Sequence, residues 1–170
     1  LAAAACLREL GLEAPVISGG SSFSILCPEV SEGLTEVRAG NYIFNDNALL
    51  SVGMVELAAC AMTVRSTVVA RPSETDAIID AGSKTLSSDG VNYREGYGYV
   101  VQSPGAIVYK LNEEHGFVRS ETGLGWQVGD TVDIIPNHAC TVPNLCEELW
   151  GMENGVFRGK IHVEARGKTR

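Results

Sequence analysis

Basic residues are scarce: 13 Lys and Arg stand against 21 Asp and Glu, a formal net charge of -8 over 170 residues. The only basic run is the short C-terminal Arg166-Gly-Lys168-Thr-Arg170, which reads as a solvated tail. That balance argues against nucleic acid or an anionic membrane as a partner, because either requires a positive face. No apolar stretch reaches the roughly 20 residues of a membrane-spanning helix. The opening Leu1-Ala2-Ala3-Ala4-Ala5-Cys6-Leu7 is apolar but short, lacks a preceding basic region and continues into Arg8-Glu9-Leu10 as a helix would, so it is not a secretory leader. There is no CxxC. Cys6, Cys27, Cys60, Cys140 and Cys146 form an odd, irregularly spaced set, which fits the reduced thiols of a cytoplasmic protein better than a disulfide framework. Internal repeats, low-complexity tracts and heptads are absent as well. The chain opens without Met, and it is expected to begin inside a longer gene product.

What remains is ordinary for a globular protein: 45% hydrophobic and 20% charged residues, enough for one large or two small domains with a real core. Leu1 to Leu10 are strong helix formers stopped by Gly11, and Ala14-Pro15-Val16-Ile17-Ser18 is a short apolar strand running into Gly19-Gly20-Ser21-Ser22. Helix, strand and glycine-serine loop make an α/β unit, with the loop at the carboxyl end of the strand, where such folds place ligands. A turn-rich segment, 37–46, follows. From about Met54 the pattern becomes short β segments separated by Gly, Asn, Asp and Pro. Strands are predicted at Ala61–Ala70, Ala77–Asp80, Tyr97–Val101, Ala106–Lys110, Thr131–Ile135 and Val156–Glu164. Within the first of these, Met62 to Val68 alternates for part of its length, as a strand with one wet face does, whereas Val68-Val69-Ala70 is apolar on both sides. The fold class expected is α/β plus mainly β, with residues 1–53 forming the first part and 54–170 the second.

Several motifs carry donor chemistry. His138-Ala-Cys140 follows the apolar run Val132 to Pro136. On extended chain, residues i and i+2 leave the same face, so imidazole and thiolate could reach one cation of the zinc type and leave positions open for water or substrate. The alternative is a half-buried histidine beside a buried thiol. Gly19-Gly20-Ser21-Ser22 could hold a phosphate through convergent N–H groups and hydroxyls, or be a flexible turn. Gly40-Asn41 could add further N–H donors or be a plain turn pair. Asp80-Ala81-Gly82-Ser83-Lys84-Thr85-Leu86-Ser87-Ser88-Asp89 lacks the earlier glycine that a phosphate loop requires, and is rejected as one. Glu113-Glu114-His115-Gly116 has the residue types of acid-base work but reads equally as a solvent-facing group. His162 has nothing nearby in sequence to set it apart from a structural histidine.

Taken in order, six segments resemble the D-serine dehydratase and D-threonine aldolase family. They are 16–22, 36–46, 80–84, 114–116, the pair 128–130 with 135–140, and 165–168. The resemblance spans nearly the whole chain and implies a pyridoxal 5'-phosphate enzyme: the C-terminal end of an alanine-racemase-like, TIM-like (β/α) barrel over residues 1–53, followed by a β-barrel-like domain over 54–170. It implies that Ser22 gives a hydroxyl to the cofactor phosphate, although Phe23 stands where relatives often have Pro, and that the amides of Gly40 and Asn41 complete the cradle. It implies that His138 and Cys140 hold a divalent metal, zinc first and manganese second.

Aldolases of the family place Asp at the second ligand position and dehydratases place Cys, so Cys140 leans toward water elimination from a β-hydroxy D-amino acid, with retro-aldol cleavage as the alternative. The family's Schiff-base lysine lies on the first barrel strand. None of Lys84, Lys110, Lys160 or Lys168 stands in that context, so the chain is expected to be a C-terminal portion that works with a missing N-terminal barrel portion. A homodimer is expected. Two further readings stay open: a metal-independent racemase relative, and a non-catalytic β module used for assembly.

Overall fold

A computed structural model describes residues 1–92 and 94–168; the last two residues of the basic tail lie outside them. The chain divides into two compact units, Leu1–Ile43 and Phe44–Arg170. The division falls ten residues before the expected boundary at 53/54. The physical reason is that residues 46–49 are held by the second unit: Asp46, Asn47 and Leu49 are buried, and the Asn47 N–H donates to the Pro136 carbonyl at 3.0 Å.

The first unit is α/β. Helix α1 spans Ala2–Glu9, as the alanine-rich run predicts. Strand β1, Ser18–Gly19, pairs in parallel with β2, Glu36–Val37, in the register Ser18 to Glu36 and Gly19 to Val37. The strand is shorter than the apolar run 14–18 suggested. Only Ile17 extends the pairing, its N–H donating to Thr35 Oγ1 at 2.8 Å and its carbonyl accepting from the Thr35 N–H at 3.0 Å. Between the strands lies the short helix α2, Ser22–Ile25. The unit buries little apolar surface: Ala4 is its one buried hydrophobic residue among those described, while Leu10, Val16, Val30 and Ile43 are largely exposed.

The second unit is mainly β. The short helix α3, Asn47–Ser51, precedes six strands: β3, Val64–Ala70; β4, Asp76–Ile79; β5, Tyr99–Val100; β6, Ile107–Leu111; β7, Gly116–Arg119; and β8, Thr131–Ile135. A one-turn helix, α4, Ser83–Leu86, follows β4. The strands are antiparallel in the order β5-β8-β3-β4-β7-β6. The two edges approach each other, since the N–H of Tyr97, just before β5, donates to the Val108 carbonyl of β6 at 2.9 Å. The result is a nearly closed barrel whose interior is filled by Val68, Ile79, Val100, Val108, Val118 and Ile134, all fully buried. Alternation along β3 sends Val64, Ser66 and Val68 inward and Arg65 outward. Val69, within a run apolar on both sides in sequence, is exposed, because the same alternation that sends Arg65 outward turns it to solvent. Strands β9, Glu148–Glu153, and β10, Val156–His162, form a separate hairpin turned by Asn154-Gly155, both with positive φ.

Two polar clamps tie the barrel strands. Asp80 Oδ1 accepts from Ser66 Oγ and from the Thr67 N–H, both at 2.7 Å. Asp133 on β8 takes Arg65 of β3 in two hydrogen bonds, 2.9 and 3.1 Å, and Gln102 in another. Burial pushes the Asp80 carboxyl up, but the bonds from Ser66 and Thr67 outweigh it and hold it below the usual aspartate range. The Arg65 guanidinium does the same for Asp133. A carboxyl depressed in the folded state stabilises it above the unfolded-state pKa and loses that contribution as the pH falls through the depressed value. Stability from urea unfolding is therefore expected to fall as the pH drops into and below the ordinary aspartate range, and Asp80→Asn to flatten that fall. A variant with the wild-type pH profile would contradict the assignment.

Candidate functional site

Strand β8 ends at Ile135, and the chain then passes through buried Pro136 and Asn137 into the turn that carries His138, Ala139 and Cys140. The triplet is thus not on extended strand, as its spacing suggested. Exposure still alternates across it: His138 and Cys140 are exposed while Ala139 between them is fully buried. What preserves the alternation is Asp46. Its carboxylate is buried, caps α3 by accepting the Leu49 N–H at 3.2 Å, and accepts the Ala139 N–H at 3.0 Å through its other oxygen. One side chain starts a helix and pulls the centre of the His-Ala-Cys turn inward.

Beside it runs an amide ladder. Asn47 Nδ2 donates to Asn137 Oδ1 at 2.7 Å, and both side chains are buried. Asn137 Nδ2 in turn donates to the carbonyls of Asp89, 2.9 Å, and Gly96, 2.8 Å. The residue next to His138 therefore spends both amide hydrogens holding the loop that bears Asp89, and Asp89 Oδ2 lies 2.8 Å from His138 Nδ1. With Nδ1 so engaged, Nε2 remains as the lone-pair donor. Local burial, then the negative charge of Asp46, pushes the Cys140 thiol up from its ordinary value.

As a donor set the pair suits a borderline-soft divalent ion: one imidazole nitrogen, one sulfur, both facing solvent. Among the described residues no group of three or more His, Cys, Asp or Glu side chains is placed to hold a metal, so an ion here would take its remaining ligands from water, substrate or another part of the protein.

The expected phosphate cradle lies in the first unit. The Asn41 N–H donates to Ser22 Oγ at 3.1 Å, and both residues are buried, with exposed Gly40 adjacent. Because Ser22 Oγ accepts this bond, its own O–H is left to donate. Gly20 takes φ +90°, and a Cβ there would meet Val37 Cγ1 at 2.8 Å, so the close approach of the loop to β2 requires glycine. Beyond Gly20, Arg38 Nε donates to Ser18 Oγ at 2.7 Å and to Glu36 Oε1 at 2.9 Å.

Other sequence motifs are absorbed structurally. The amides of Ser83 and Lys84 donate to the carbonyls of Asn112 and Glu113, and Gly82 packs so tightly on those carbonyls that no Cβ fits, so the segment holds a β-turn and not a phosphate. His115 sits in that turn, its carbonyl accepting from the Asn112 N–H. Lys84 pairs with Glu114, Lys160 with Glu148, and Lys110 stacks on Phe117; none is placed in an apolar pocket that would make it a nucleophile. Asp46, Asn47 and Asp89 were not singled out from sequence. The Asp46-Asn47 pair before Ala-Leu-Leu carries a capping signal, but Asp89 lies 49 positions from its histidine, and no local pattern marks it.

Asp46→Ala is expected to destabilise the protein by about 2–4 kcal/mol, since it removes a cap and leaves the buried Ala139 N–H unsatisfied. In the same variant Cys140 should alkylate faster at neutral pH, because a neighbouring negative charge is gone. Urea denaturation and peptide mass spectrometry check these, and unchanged values for both would contradict the role given to Asp46.

Comparison with known proteins places this architecture. Residues 61–152 match the family described as "Putative serine dehydratase domain". The chain is 34% identical over 155 residues to the D-threo-3-hydroxyaspartate dehydratase of Delftia sp. (strain HT23), covering 81% of this chain and 41% of that enzyme. It is 30% identical over 170 residues to the D-threonine aldolase of Arthrobacter sp., covering 96% and 43%. A 133-residue match at 30% identity covers 75% of this chain and 99% of an uncharacterized protein of Mycobacterium bovis.

The chain thus spans less than half the length of the two enzymes. Solved structures of a D-threo-3-hydroxyaspartate dehydratase superpose with TM-scores of 0.78 for a histidine-to-alanine variant and 0.76 for a cysteine-to-alanine variant in the metal-free form. Each is 30% identical, with 95% of this chain covered and 46% or 47% of the other. The two substituted residues of that enzyme stand two positions apart. With a matched domain over more than half its length and the same α/β and β-barrel architecture, the chain belongs to the D-serine dehydratase and D-threonine aldolase family.

Proposed function

We propose that this chain contributes the metal-bearing β domain and part of the cofactor cradle to a pyridoxal-phosphate lyase that eliminates water from a β-hydroxy D-amino acid. The observation that carries the reading is the exposed His138 and Cys140 pair, held by Asp46 and backed by Asp89. The cysteine and histidine substituted in the solved D-threo-3-hydroxyaspartate dehydratase variants have the same spacing, and the cysteine variant is a metal-free form, which supports a metal at this pair. Zinc is the first choice for one nitrogen and one sulfur, with manganese the second. When bound, the metal supplies Lewis acidity toward a substrate oxygen and pyridoxal phosphate an electron sink. The chain's own residues bind and orient: His138 and Cys140 hold the ion, Asp89 aims the imidazole, and Ser22 donates its hydroxyl to the phosphate beside Gly40 and Asn41. The net reaction converts the amino acid to a 2-oxo acid and ammonia.

The Schiff-base lysine belongs outside Lys84, Lys110, Lys160 and Lys168, on further βα units of the protein. The two-stranded parallel sheet supports such units, since parallel sheets are covered on both faces while the apolar residues around β1 and β2 are largely exposed. A cytoplasmic homodimer completes the reading. No helix among the described residues is long and apolar enough to cross a membrane.

A second reading, a β module that acts without a barrel, is favoured by the Mycobacterium bovis protein, almost all of which corresponds to three quarters of this chain. The complete protein separates the readings. Release of 2-oxo acid and ammonia from D-serine or D-3-hydroxyaspartate, abolished by chelator and reduced at least about 100-fold by Cys140→Ala, supports the dehydratase. Glycine and an aldehyde from D-threonine would shift it to an aldolase. Full turnover in excess chelator would overturn the metal role, and absence of bound cofactor and turnover would favour the module.

A further inference from the structure

Asp89 is held by two backbone hydrogen bonds besides its contact with the imidazole, which separates it from an ordinary surface partner of a histidine. Its carbonyl accepts from Asn137 Nδ2 at 2.9 Å, and its N–H donates to Ser87 Oγ at 3.1 Å. Ser87 itself adopts φ +61°, a left-handed conformation that serine rarely takes and that persists only where the surroundings impose it. Asn137 ties Asp89 and Gly96 to the chain immediately before His138 and is itself fixed by Asn47. The Asp89 backbone is therefore held in register with the His138 turn by the buried Asn137 amide. The 2.8 Å approach of Asp89 Oδ2 to Nδ1 is the product of that framework.

We propose that Asp89 is the positioning residue of the metal pair: it holds the proton on His138 Nδ1 and fixes the ring so that Nε2 is the metal donor. The inference rests on the reading of His138 and Cys140 as metal ligands and deepens it. A carboxylate behind a ligating histidine selects the tautomer, orients the ring and raises ligand basicity, and its loss typically weakens metal binding about 10–100-fold. Both side chains are partly exposed, so a merely structural ion pair here would add little to stability.

The test is cobalt(II) binding to the complete protein, followed by the thiolate-to-cobalt absorption band that Cys140 supplies and by competition with a chelator, for wild type, Asp89→Ala, Asp89→Asn and Cys140→Ala. The expected result is a band in wild type and in both Asp89 variants but not in Cys140→Ala. Cobalt affinity should fall about 10–100-fold in Asp89→Ala. It should recover in part in Asp89→Asn, which keeps an acceptor oxygen, with thermal midpoints unchanged. Equal affinity in wild type and Asp89→Ala, with the band present, would overturn the role of Asp89 while the metal site stands. Absence of the band in wild type would remove the site itself and the inference with it.

Discussion

The paired hydrogen bonds of the Asp46 carboxylate are the constraint on which the second unit's chemistry depends. A buried acidic group is tolerated only when its oxygens are satisfied, and here one takes a helix-opening N–H and the other the amide of Ala139. Because Ala139 is drawn inward, the residues on either side of it turn outward. Side chains on a free turn would sample many directions; here the turn's centre is fixed and both flanking side chains are exposed. The same carboxylate sets the electrostatic tone, adding to burial in raising the neighbouring Cys140 thiol. A thiol so held is a sluggish nucleophile on its own, and a cation beside it would favour the deprotonated form.

Around that anchor the division of labour is physical. The barrel supplies rigidity through a filled interior and antiparallel ladders, and β8 lies between β3 and β5, its last residue Ile135 buried and paired with Tyr99 of β5. The polar ladder of Asn47, Asn137 and Asp89 then transmits that rigidity to the imidazole. Sites that rest on structured elements and buried hydrogen bonds hold their geometry better than sites on free loops. The first unit behaves differently: a hydrogen bond joins Asn41 to Ser22, but among the described residues the unit has almost no core of its own.

Much of this was legible in the sequence, and the exceptions have identifiable causes. Strand β8 matched its predicted bounds because apolar residues and flanking turn signals agree there. Strand β7 was missed because Glu113-Glu114-His115 looks like a polar loop, whereas it is the tight turn of a hairpin. Strand β9 was missed because its glycine and acidic residues mask a hairpin strand that lies outside the barrel. At the candidate site, the donor types and spacing of His138 and Cys140 could be read directly. Their supports could not, since Asp46 and Asp89 reach the turn across 93 and 49 positions, and such pairings are created by the fold.

The account's central claim is that His138 and Cys140 bind one divalent ion. X-ray absorption at the zinc edge, on the complete protein loaded with one equivalent of zinc, tests it most directly. The prediction is a single sulfur at about 2.3 Å with nitrogen or oxygen neighbours at about 2.0–2.1 Å, the sulfur vanishing in Cys140→Ala. A shell of nitrogen and oxygen alone, or one that Cys140→Ala leaves unchanged, would contradict it.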